Sequence, residues 1–232
     1  MQYADVVRES RKYSNKEKAK NSAWFFKTEK GQYGYGDVFV GITVPEMRTI
    51  SKKFYEISLS EVQKLLDSKI HEERFIGLTI LDLKFSKSDE TNKKKIVNLY
   101  LKNTKKINNW DLVDTSAYSI LGEYLLDKNR DILYKFSRSK SLWERRISMV
   151  ATYVFIKKGD FKDTLNISKN LLGDKEDLMH KAVGWMLREV GKKDEAVLKK
   201  FLKVNINKLP RTTLRYAIER FESNERKMFL NM

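Results

Sequence analysis

Cysteine is absent from the 232 residues, and histidine occurs only twice, as His71 and His180. The first absence excludes disulfides, thiolate nucleophiles and cysteine-ligated zinc. The second leaves no histidine metal site without several carboxylates, and both histidines are expected at the surface or at helix caps. No ligand cluster points to a metal, and no other cofactor is expected. A chain without cysteine fits a reducing compartment. Its first residues, MQYADVVRES, are charged and lack the apolar stretch of a signal peptide. No apolar run reaches the length of a membrane span. A cytoplasmic protein without membrane contact is therefore expected. Prolines are as scarce: only Pro45 and Pro210 interrupt the chain, so long helices should dominate.

What is present supports that reading. Hydrophobic residues make up 41% of the chain, enough for a substantial core. They recur at helical spacing. Residues 72–86 align Phe75, Leu78, Ile80, Leu81, Leu83 and Phe85; residues 110–126 align Trp110, Val113, Ala117, Ile120, Leu121, Tyr124 and Leu125. Residues 178–190 align Leu178, Ala182, Val183, Trp185, Met186, Leu187 and Val190. Ser60, Ser88 and Asp131 stand where helix N-caps are expected. Gly159, Gly173 and Gly191 stand where helices should stop, and Pro45 suits a first turn. The stretch 28–44, TEKGQYGYGDVFVGITV, resists a helical reading. It lacks the strand–loop–helix context of a phosphate-binding glycine loop, so it reads as a surface connection between helices, with Tyr33 and Tyr35 available to a ligand.

Charge is lopsided: 47 Lys and Arg against 31 Asp and Glu give a formal net charge of +16. Such an excess favours a polyanionic partner, nucleic acid before an anionic membrane, because phosphate contacts release counterions. The alternative is a basic but otherwise ordinary enzyme. The charge is also ordered. Arg74, Asp111, Arg146, Lys181 and Arg215 recur at intervals of about 35 residues, two helices per step, the mark of a helical solenoid. The expected fold is all-α: a HEAT-like repeat superhelix over 1–232 as one domain, its second helices lining a basic concave face.

Three clusters fall on those inner helices. NNWDLVD (108–114) sets Trp110 and Asp114 one turn apart on one face. LWERRISMV (142–150) sets Arg146 near Trp143, and HKAVGWMLREVGKKD (180–194) sets Trp185 beside Arg188. Taken singly, each has a structural explanation. Tryptophans on helices are usually core, an aspartate in NNWD suits a helix start, and Arg146 is able to pair with an acid such as Asp114 for structure alone. Their recurrence at equivalent places in successive repeats favours a function.

These segments, with WFFKTEKGQYGYGD and FVGITVPEMR before them, resemble the AlkD-type DNA alkylation repair glycosylases, a HEAT-like repeat family, over about residues 20–220. The resemblance implies removal of positively charged N3- and N7-alkylated purines from duplex DNA, by a monomeric enzyme holding the backbone without a tight base pocket. It implies catalytic roles for Asp114, Trp110 and Trp185. It gives Phe25, from the run Trp24–Phe25–Phe26, an aromatic contact to the lesion, and Arg146 a phosphate contact. Arg74, Lys181, Arg188 and Arg215 complete the expected DNA-binding set. The alternative is a protein of the same fold that binds damaged or branched DNA without catalysis; a protein–protein scaffold fits the charge less well.

Overall fold

The computed structural model describes residues 1–232. It is helical throughout; its only extended pairing is one parallel bridge between Val38 and Ile70. The all-α architecture is the one the periodicity predicts. No helix is long and apolar enough to cross a membrane. The chain divides into two compact units, Met1–Ser116 and Ala117–Met232.

The first unit holds α1 (Tyr3–Arg11), α2 (Lys16–Phe25), α3 (Val44–Lys53), α4 (Leu59–Leu66), α5 (His71–Ser86), α6 (Glu90–Lys102) and α7 (Trp110–Ser116). Its centre is α5, against which α3, α4, α6 and α7 all pack. Past the first turn α5 is apolar on almost every side, which suits a helix covered all round. Phe75, Ile76, Leu78, Ile80 and Leu81 keep almost no exposed surface, each contributing roughly 1.5–3 kcal/mol of burial. Its first turn is polar, yet His71, Glu72, Glu73 and Arg74 are buried too.

The second unit begins with a π-helical stretch, Ala117–Gly122, continuous in the chain with α7. There follow α8 (Asp131–Ser137), α9 (Leu142–Ala151), α10 (Tyr153–Lys157), α11 (Lys162–Leu171), α12 (Asp177–Lys193), α13 (Glu195–Asn205), α14 (Arg211–Ala217) and α15 (Ser223–Asn231). Here α12 is central, touched by α9, α10, α11, α13 and α14. The helices that carry the repeating positions are neighbours within each unit: α5 with α7 in the first, α9 with α12 and α12 with α14 in the second. This is the layout of an α-helical repeat.

Several helix ends depart from expectation. Ser58, not Ser60, caps α4, accepting from the Glu61 N–H. Asp89, not Ser88, caps α6; the Ser88 hydroxyl instead donates to the Lys84 carbonyl at 2.7 Å, closing α5. A carboxylate is the stronger acceptor at a helix start, so the neighbouring serine is free for the preceding helix. Asp131 is the first helical residue, behind Arg130. Gly191 does not stop α12 but lies inside it, where an added Cβ would stand 2.4 Å from a Leu198 methyl; its role is close packing with α13. Pro45 falls in the first turn of α3, behind a capping box of Thr43 and Glu46.

Candidate nucleic-acid interface

The glycine-rich stretch 28–44 is more than a surface connection. The Glu72 carboxylate, at the start of α5, accepts the N–H groups of Val40 (3.0 Å) and Gly41 (2.8 Å). The Val40 carbonyl in turn accepts the Asn15 N–H at the head of α2. Gly41 has φ +82°, and a Cβ there would stand 2.1 Å from the Asn15 carbonyl oxygen. Gly34 closes the other end, its N–H donating to the Lys27 carbonyl just beyond α2. The loop thus clasps both ends of α2, a helix that has no buried residue of its own. Gly41→Ala is expected to destabilise the protein by about 2 kcal/mol, through left-handed strain and a backbone clash; thermal unfolding measures it.

The same loop delivers Asp37 into a buried charge network. Its carboxylate receives Arg74 Nη2 at 2.6 Å, Asn108 Nδ2 at 3.0 Å and His71 Nδ1 at 3.0 Å. His71 Nε2 faces Asp111 Oδ2 at 2.8 Å. Burial alone would push the His71 pKa down; hydrogen bonds to Asp111 and Asp37, with their charges, outweigh it and raise it to about 9. For Asp37, burial pushes upward, and the His71 hydrogen bond and the Arg74 charge hold it below the usual carboxylate range. The expectation that His71 lies at the surface or serves as a cap is corrected: it is 1% exposed and Ile70 is the N-cap. Arg74, expected among the DNA contacts, is buried with its guanidinium on Asp37 and on the Ser68 carbonyl. That placement makes it a partner for Asp37 rather than for a phosphate.

Above this network lies an aromatic array. Phe39 stacks on the His71 ring (4.5 Å), Phe26 on Phe39 (5.0 Å) and Trp110 on Phe26 (5.3 Å). Phe25 sets its edge against Trp110 at 6.0 Å and is 54% exposed. Two members of the Trp24–Phe25–Phe26 run therefore meet Trp110, while Trp24 stands outward under Lys27. Asn109 accepts the Trp110 N–H at 2.8 Å and starts α7. One turn on is Asp114, half-buried. Burial raises the Tyr100 hydroxyl pKa far above the phenol range, and the Asp114 charge adds to that rise. Trp110, Asp114 and Phe25 are thus gathered within the first unit.

The second unit gathers the other predicted residues. Arg146 is buried on α9, its Nη1 donating to the Leu178 carbonyl of α12 at 2.5 Å. The half-buried Trp185 lies on α12, 6.2 Å from Tyr153, which meets Tyr118 edge-on at 5.6 Å. Lys181 pairs with Asp177 at 2.7 Å, and Arg188 with Glu219 and Glu189. Arg215 is exposed on α14.

Sequence reasoning missed His71, Asp37, Phe39, Tyr118 and Tyr153, and named Phe26 only as a member of the run from which Phe25 was chosen. One signal was there to find: HEER opens a helix that is otherwise apolar almost all round. Polar groups in a covered helix need partners, and a loop carrying an aspartate was the candidate supplier.

No curated protein matches the chain. Among solved structures, it is similar to a predicted DNA alkylation repair enzyme from Enterococcus faecalis: 17% identity, 90% of this chain and 97% of that one, TM-score 0.73. A looser correspondence is with smu.31 from Streptococcus mutans UA159: 17% identity, 98% and 96% coverage, TM-score 0.49. The first likeness concerns the fold. The family follows from the sequence: a description of DNA alkylation repair enzymes matches residues 6–221, nearly the whole chain and both units, and by that match this protein belongs to the DNA alkylation repair enzyme family.

Proposed function

We propose that this protein is a DNA glycosylase that hydrolyses the N-glycosidic bond of positively charged N3- or N7-alkylated purines in duplex DNA. The observation that carries the reading is the pairing on α7: Asp114 one turn from a tryptophan whose ring is held in a stack of aromatic rings beside the exposed Phe25. Aromatic faces and a carboxylate are both complementary to cations.

The chemistry matches those groups. When the C1′–N bond breaks, its electron pair goes to the purine and cancels the base's positive charge. The sugar becomes an oxocarbenium-like cation. The Asp114 carboxylate stabilises that cation and orients the water that adds at C1′, whose proton passes to the carboxylate or solvent. The leaving base needs no general acid because it leaves neutral. Trp110 presents a flat face to the cationic lesion and Phe25 adds a second; within the second unit Trp185 offers a further aromatic face to the DNA. Lys181, Arg188 and Arg215 hold phosphates, whereas Arg146, buried with its guanidinium on the Leu178 carbonyl, ties α9 to α12. The partly exposed pairs of Lys181 and Arg188 with acids are each worth at most about 1 kcal/mol, so exchange for phosphates is inexpensive. As in the resembling family, the backbone is held without a tight base pocket.

The test is release of free 7-methylguanine from methylated duplex DNA, measured by chromatography with enzyme in excess. Release well above the uncatalysed rate is expected. Tight binding whose log affinity falls by roughly 0.9 per contacted phosphate with log salt, with no release at all, would instead establish a non-catalytic DNA-binding protein.

A further inference from the structure

We propose that His71, held as an imidazolium between Asp37 and Asp111, is the positioning residue that fixes Trp110 and the Asp114 helix to the body of the first unit. The proposal rests on the glycosylase reading for its kinetic consequence but not for its geometry. Both ring nitrogens face carboxylate oxygens, Nδ1 to Asp37 at 3.0 Å and Nε2 to Asp111 at 2.8 Å. A carboxylate offers no proton, so both contacts are hydrogen bonds only if the ring carries two. The charges agree. Along this hydrogen-bonded chain two carboxylates, Asp37 and Asp111, meet one guanidinium, that of Arg74, and a second proton on His71 supplies the matching positive charge.

The other charged groups near the ring are already engaged. Glu72 is held by the loop N–H groups of Val40 and Gly41. Glu73 accepts from the Tyr3 hydroxyl, and Glu61 of α4 accepts from the Tyr3 N–H. From the segment before α7 come the Asn108 and Asn109 amides, both directed at Asp37. The faces of the ring belong to Phe39 and Phe26, and Phe26 is the ring on which Trp110 stacks. His71 therefore reaches Trp110 twice: through Asp111, its chain neighbour on α7, and through the aromatic stack. Losing one proton leaves a nitrogen lone pair against a carboxylate and frees one of those ties.

The decisive comparison is with Asp111→Asn. Its amide donates to the Nε2 of a neutral imidazole, while Nδ1–H still donates to Asp37. Asp37 and Arg74 then balance without a second proton on the ring. The chain has only two imidazoles, so His71 is assigned by NMR from the signal lost in His71→Gln. In the wild type that signal is expected to titrate near pH 9, with the Trp110 indole N–H signal moving at the same midpoint. In Asp111→Asn the midpoint is expected to fall by two pH units or more. Base release, corrected for the uncatalysed reaction, should fall in the wild type by about tenfold per pH unit above that midpoint. The Asp111→Asn profile should lack this limb, whatever its rate at neutral pH. A wild-type His71 titrating near 6.5, a Trp110 signal indifferent to it, or an unchanged alkaline limb in Asp111→Asn would overturn the proposal. Absence of base release at every pH would defeat the glycosylase reading alone, since the two NMR midpoints test the positioning role without it.

Discussion

Asp114→Asn is expected to slow single-turnover release of 7-methylguanine by about 100-fold or more, with duplex affinity changed by no more than about twofold. The substitution keeps size and shape and removes one negative charge. If the carboxylate acts on the cation that grows at C1′, the loss falls on the transition state, where a preorganised charge typically contributes two to three orders of magnitude. Ground-state binding rests elsewhere, on cationic side chains and phosphates. Removing an acid near a polyanion, if anything, tightens that binding slightly. The measurement is a paired one: burst-free excision rates with enzyme in excess, and fluorescence anisotropy on the same duplex. Equal excision by the two proteins would remove Asp114 from the chemistry. A parallel fall in affinity would make it a folding or docking residue instead.

Asp37→Ala is expected to destabilise the protein by about 3–5 kcal/mol, the usual cost of breaking a buried ion pair from one side. At this chain length that lowers the melting temperature by roughly 6–20 °C. The reason is local. The Asp37 side chain is 2% exposed, and its removal leaves the Arg74 guanidinium with only the Ser68 carbonyl and His71 with only Asp111. Asp37→Asn should fall between wild type and alanine, since it fills the same space without the charge. The network also sets a pH dependence. The folded His71 pKa, about 9, lies above the unfolded value near 6.5, so the unfolded chain binds fewer protons between those pH values. The stabilisation is complete below about 6.5 and is lost as pH rises through 9. At about 1.4 kcal/mol per pH unit it amounts to something on the order of 3 kcal/mol. Urea unfolding at pH 6.5 and pH 9.5 reads this loss directly, and Asp111→Asn should abolish most of it.

The helices were legible because their apolar spacing is local. So was the α7 pair, since Trp110 and Asp114 are separated by a single turn. The charge network was not. Asp37, His71 and Asp111 are separated by 34 and 40 residues, and no local pattern says that they converge. Arg74 shows the same limit from the other side. It stands in register with the other repeating cations, but register gives the helix and not the exposure. Gly191 was misread because a glycine that ends a helix and one that admits a neighbouring leucine look alike until α13 is in place. The loop 28–44 looked like a connection because its partners, Glu72 and the head of α2, lie outside it.

That loop has one further consequence. Because α2 has no fully buried residue, its hold on the unit built around α5 runs mainly through the loop that clasps its ends, and segments with few buried contacts open at less than the global free energy. Phe25 sits at the end of that weakly coupled segment, while Trp110, against which it rests, starts α7, which packs directly on α5. The two rings of one contact therefore belong to parts of the molecule with different opening free energies. On the glycosylase reading, adjustment to a bulky lesion falls to the more readily opened partner, and the other keeps the carboxylate in place.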